Sequence, residues 1–193
     1  MVYHIEENMR HLSLLLALSL IISCETTKTH LYDGNFEIYR VIENDLNTQE
    51  LFDLKIEEYE LEDTPWLSSR EIELYDISSH FIYLKKDKKD LFSDLMANEF
   101  MYNFLAKPFV VVADGERIYK GVFLSGLSSC LYEVPAIKDW TVSYLPEDII
   151  SINWWRNDED PRSDSRIQNT LLNADVLHEG LEVAIETIRI VEN

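Results

Sequence analysis

Hydrophobic and polar positions change rhythm several times along this chain, and each rhythm predicts an element. Phe36-Glu37-Ile38-Tyr39-Arg40-Val41-Ile42 is rich in branched and aromatic residues and reads as a strand. Residues 54–61 read as a second strand, with a phase slip across Glu57-Glu58 that suggests a bulge or bend. Ser68 followed by Glu71 has capping-box spacing, in which the serine oxygen and the glutamate each satisfy an orphan amide. It predicts a short helical turn over residues 69–75. Residues 80–85 read as a strand. Phe92, Met96, Phe100 and Phe104 recur every four residues and predict an amphipathic helix, ended by Lys107-Pro108.

Asp114-Gly115 sits between two β-prone runs, residues 109–113 and 116–124. Glycine accepts the positive φ of a tight turn, so this is the strongest hairpin signal in the chain. The run before the turn is apolar on both faces, as a central strand requires. Residues 140–144 alternate, as do Ile150, Ile152 and Trp154. Ser163 or Asp164 can cap a helix over residues 165–174 with Ile167 and Leu171 inward. Residues 183–191 favour a final strand, although Leu177, Leu181, Ala184 and Ile188 also fit a helix. Hairpin-linked strands interrupted by few helices predict an α+β fold. The expected architecture is a mostly antiparallel sheet of about five to seven strands with two or three helices packed on one face.

One apolar run has no such periodicity. Residues 12–22 are apolar apart from Ser13 and Ser19, follow Arg10, and end at Ser23-Cys24 before the polar Glu25-Thr26-Thr27-Lys28. The run is shorter than the roughly 20 residues a membrane span needs, and it has the charged start and small-residue end of a secretion signal. Ile21-Ile22-Ser23-Cys24 resembles the recognition box of lipoprotein signal peptidase. The resemblance implies that Cys24 is acylated and becomes the first residue. The expected organisation is a signal peptide over residues 1–23, a tether over 24–34 and one α+β domain over 35–193. Met9 is the favoured start, because Glu6 and Glu7 occupy a region that should be positive.

Charge narrows the partners. The chain has 17 basic and 36 acidic residues, a formal net charge of −19. Such a surface repels phosphate backbones and argues against nucleic acid. Cys24 and Cys130 are the only cysteines. With Cys24 acylated, Cys130 has no disulfide partner and reads as a small buried hydrophobe.

Sequence motifs for catalysis are missing. There is no Gly-x-Ser-x-Gly elbow, phosphate loop, dinucleotide fingerprint or His-Glu-x-x-His helix, and His30, His80 and His178 lie far apart. No catalytic residue and no cofactor is assigned. Two candidate sites remain. Trp154-Trp155 would face opposite sides of a strand, which leaves Trp155, beside Arg156, as a binding platform for sugar or peptide. Asp158, Asp160 and Asp164 offer oxygens for a hard cation such as Ca²⁺. Arg156, Arg162 and Arg166 lie among them, so the alternative is a charge-paired loop that caps the following helix.

Pro65-Trp66-Leu67-Ser68 with Glu71-Ile72, Pro108-Phe109-Val110-Val111 with Asp114-Gly115, and Glu159-Asp160-Pro161-Arg162 together resemble secreted and lipoprotein-anchored α+β proteins of Bacteroidota. The first piece is also similar to a capped turn in the periplasmic head of the protein-export subunit SecD. The resemblance implies location and fold and assigns no catalytic residue. The sequence thus predicts an envelope protein held to the outer membrane, on its periplasmic or surface face, through an N-terminal lipid. Its domain binds an envelope protein partner. The alternatives are a small envelope hydrolase using carboxylates near Trp154 and Trp155, and a weak divalent-cation binder.

Overall fold

The computed structural model describes residues 33–42, 48–88, 107–124, 133–138, 148–156 and 158–180. Their strands are β1 (Phe36–Arg40), β2 (Leu67–Ser68), β3 (Ile72–Asp76), β4 (Phe81–Leu84), β5 (Lys107–Ala113), β6 (Glu116–Leu124), β7 (Ala136–Lys138), β8 (Ile149–Asn153) and β9 (Leu177–His178). They form one sheet in the order β2-β1-β5-β6-β7-β8-β4-β3-β9. The β6–β7 and β3–β9 pairs are parallel and the others antiparallel. Helix α1 (Thr48–Asp53) and helix α2 (Ser165–Asn173) accompany the sheet.

Connectivity forces this sheet to curl. β2 and β3 are separated in the sheet order by six strands but in the chain by only residues 69–71. Four peptide steps span at most about 15 Å, so the two ends of the order must lie close together. The turn closes the seam: Ser69 N donates to Phe36 O of β1 at 2.7 Å, and Lys85 N donates to Glu71 O at 2.9 Å. The capping-box pair holds the turn, with Ser68 N donating to Glu71 Oε2 at 2.8 Å. Across the closed curl, the rings of Phe36 on β1 and Tyr75 on β3 meet edge to face at 5.8 Å.

The predicted α+β architecture, five to seven mostly antiparallel strands with two or three helices on one face, is therefore corrected. Among the described residues the sheet has nine strands and is mixed, and α2 is the one helix that contributes to the inner core, through Ile167 and Leu171. A curled sheet buries its own concave face, so the helices that a flat sheet would need are not required. Alternation reveals that a strand has a buried face, not what buries it.

Two local predictions also change. Residues 72–76 form a strand, not a helical turn: they pair antiparallel with β4, with an irregularity between Ile72 and Leu74. That extra residue lets Ile72 and Tyr75, three apart, both point into the core, a spacing that mimics a helix. Residues 54–61 form a 3₁₀ turn (Ile56–Glu58) with one bridge, Val41 to Leu61, and no strand. Their carbonyls are taken by cations of β6. Arg117 Nη1 donates to Ile56 O at 2.8 Å, Tyr59 O at 3.0 Å and Glu57 O at 3.1 Å, and Lys120 Nζ donates to Leu54 O at 2.9 Å and to Phe52 O. The apolar side chains of the segment cover Val110 and Val112 on the outer face of β5.

The hairpin forms as read. β5 pairs with both β1 and β6, and Asp114 and Gly115 take φ of 48° and 83°. Opposite Phe109 lies Gly121, where a Cβ would fall 2.1 Å from the Phe109 ring. Asp164 caps α2, accepting from Arg166 N at 2.9 Å. The predicted helix over residues 91–104 and the predicted strands over 140–144 and 183–191 lie outside the described residues, as do Cys24 and Cys130.

Candidate functional site

The turn between β3 and β4 sets a titratable group inside the curl. The Asp76 carboxylate accepts from Ser78 N at 2.9 Å, Ser78 Oγ at 2.8 Å and Ser79 Oγ at 2.8 Å. These bonds outweigh burial and hold Asp76 below its ordinary pKa. The tight turn places His80 at φ 55°, with His80 N donating to Asp76 O at 2.8 Å. His80 is 5% exposed, beside the fully buried Tyr75.

From the other side comes the 3₁₀ turn Pro161–Ser163. Asp160 caps it by accepting from Arg162 N at 3.0 Å. The same carboxylate grips the Arg162 guanidinium, at 2.9 Å from Nε and 2.6 Å from Nη2. Arg162 is buried, and its Nη1 donates to Ile152 O of β8. The Arg162 bonds outweigh burial and keep the Asp160 carboxyl below its ordinary value.

The Tyr75 hydroxyl lies 3.0 Å from His80 Nδ1, and Asp160 Oδ2 lies 3.6 Å from Nε2. In the tautomer that carries its proton on Nε2, toward the carboxylate, Nδ1 accepts from Tyr75. Burial first, then the Arg162 charge, depress His80 to about 4 against the weaker pull of Asp160 and Asp76, so the ring is neutral at neutral pH. Burial raises the Tyr75 hydroxyl well above its ordinary value and does the same for Tyr119. Tyr119, 6% exposed, carries a hydroxyl with no hydrogen-bond partner among the described residues.

Tyr75, His80 and Asp160 thus line up as a hydroxyl, an imidazole and a carboxylate. A relay of that kind needs a reacting hydroxyl that substrate can reach. Tyr75 is fully buried, so the row acts as a packed polar core. Asp160 connects it to the surface, where a depression of about 410 Å³ is lined by Glu159, Asp160, Pro161, Ser163 and Asp164.

The sequence-derived candidates are distributed around this region. Asp158, Asp160 and Asp164 do not converge. Asp158 pairs with Arg156 at 2.7 Å, Asp160 with Arg162, and Asp164 with Arg166 at 2.8 Å. Among the described residues no group of three metal-ligating side chains occurs. β8 ends at Asn153, so Trp154 and Trp155 leave the sheet before their side chains can alternate on it. Trp155 is 37% exposed, and Lys138 Nζ lies 4.7 Å from its ring centroid. Arg156 also holds Glu133, at 2.9 Å. The Tyr75–His80 contact with Asp160 escaped the sequence reading. Its one local signal, Asp76-Ile77-Ser78-Ser79-His80, marks a serine-rich turn and carries no trace of a partner 80 residues away.

Compared with protein-family models, curated proteins and solved structures, the chain matches none of them. Among the described residues no helix is long and apolar enough to cross a membrane.

Proposed function

We propose that this chain is a lipid-anchored envelope protein that acts by binding a protein partner. The reading of an anchor rests on the run ending at Ser23-Cys24. The reading of binding rests on one observation: the cluster with perturbed protonation is enclosed, and the acidic depression beside Asp160 is open. Glu159 and Ser163 are exposed there, so the depression offers negative charge to a lysine or arginine of a partner.

The test has two arms. Labelled palmitate should enter the native-host product and be lost in Cys24→Ala. A photo-crosslinking residue at Ser163 should join one defined envelope protein, and Glu159→Lys should abolish the product. Absence of label defeats the anchor, and crosslinks that ignore charge reversal at Glu159 defeat the binding reading.

A further inference from the structure

We infer that residues 160–163 form an acid-released latch, in which protonation of His80 drives Arg162 and its turn out of the curled sheet. The groups facing His80 are Tyr75 and Asp76 from β3 and Asp160 and Arg162 from the latch, with Tyr119 of β6 interacting with Tyr75. With the ring neutral, each charged group of the cluster already has its partners, although two carboxylates face one guanidinium. Asp160 neutralises Arg162 at 2.6 Å, and Asp76 is occupied by Ser78 and Ser79. A proton on the ring upsets two contacts at once. Nδ1 becomes a donor, so the Tyr75 hydroxyl 3.0 Å away must turn to accept and its own proton loses its acceptor inside the core. The imidazolium and the guanidinium then both lean on the same Asp160 oxygen, at 3.6 Å and 2.6 Å, with Asp76 committed to Ser78 and Ser79 and little water at the buried ring.

One of the two cations must reach solvent, and the fold decides which. His80 is fixed by sheet bonds on both sides: its N–H donates to Asp76 O, and its carbonyl accepts from Ile152 N at 3.2 Å. Arg162 sits on a single 3₁₀ turn whose neighbour Ser163 is exposed, outside any strand pairing. Its hold on the sheet within this cluster is the bond to Ile152 O. The turn therefore yields before the β3–β4 corner. Its release removes one wall of the depression next to it and loosens the Asp164 cap of α2. This device does not depend on the anchor or on any partner.

Hydrogen exchange of the full chain, corrected for the intrinsic pH dependence, tests it alongside imidazole NMR. Between pH 6 and 4 the amides of Arg162 and Ser163 should lose at least tenfold in protection as His80 protonates, while the β5–β6 hairpin stays protected. His80→Gln, which cannot charge, should keep the latch shut across that range. If His80→Gln does not fold, Arg162→Met takes its place: with the repelling cation gone, His80 should titrate closer to 6.5. The inference is overturned if His80 protonates with protection at Arg162 unchanged. It is equally overturned if opening persists in His80→Gln, or if Arg162→Met leaves the His80 titration where it was.

Discussion

Arg117 and Arg162 perform similar tasks on opposite faces of the sheet. Arg117 lies outside, half-buried, and collects three carbonyls of residues 56–59. Arg162 lies inside, buried, and collects one carbonyl and one carboxylate. The outer arginine has water as an alternative partner, so its bonds are exchanged at little loss. The inner guanidinium has none, so removing its carboxylate leaves a charge enclosed, and removing the guanidinium leaves the Ile152 carbonyl without its donor. Solvent access, more than the number of bonds, sets how much each arginine matters.

The largest test of that contrast is a pair of substitutions. Arg162→Met should lower unfolding free energy in urea by about 2–3 kcal/mol, since it leaves the buried Ile152 O without its donor, while Asp160 can turn to water. Arg117→Met should lower it by only about 1–2 kcal/mol. Equal losses would break the comparison.

Acid provides the second test. His80 is held at about 4 in the folded chain, below its ordinary 6.5. Between those pH values the unfolded chain binds a proton that the folded chain does not. Stability should therefore fall by about 3 kcal/mol as pH drops from 6.5 to 4, then stop changing on account of this group. Asp76, Asp160 and Asp164 are all lowered, so their contribution is present above about 3.8 and is lost as pH falls through their folded values. Urea titrations from pH 7 to 4 on the His80→Gln variant should be flat where the parent slopes. The parent slope persisting there would locate the acid sensitivity elsewhere.

β6 carries both environments, which allows a sharper separation. Gly121→Ala sets a methyl against the Phe109 ring of the inner layer and should cost about 1–3 kcal/mol. Its melting temperature should fall while the Arg117 contacts, followed by NMR of the guanidinium, stay intact. The smallest effect is expected at Arg156, which pairs with Asp158 and Glu133 in the open. Arg156→Ala should leave the melting temperature unchanged, because exposed ion pairs contribute little.

Legibility followed the same division between local and distant causes. The Asp114-Gly115 hairpin and the Asp164 cap were readable because turn and cap chemistry acts over a few residues. The Ser68–Glu71 pair was readable too, but its consequence was not: the residues after it form β3, whose bulge imitates helical spacing. Residues 54–61 have strand-like composition, yet Arg117 and Lys120, some 60 residues away, supply their hydrogen bonds. Curling depends on which strands pair, and a periodicity of two does not encode that. For the candidate site, the charge pairing of Asp158, Asp160 and Asp164 with neighbouring arginines was among the sequence alternatives. The enclosure of His80 and Tyr75 was not, because burial there comes from strands far apart in the chain.

The three-residue link between β2 and β3 has a consequence for behaviour at high protein concentration. Sheet rims with free amides invite a second molecule to add a strand. Here one rim, β2, is two residues long and runs directly into a corner already bonded to β1 and β4. An incoming strand would find scarcely a rung to climb on that side, so the link that bends the sheet also guards it against runaway assembly.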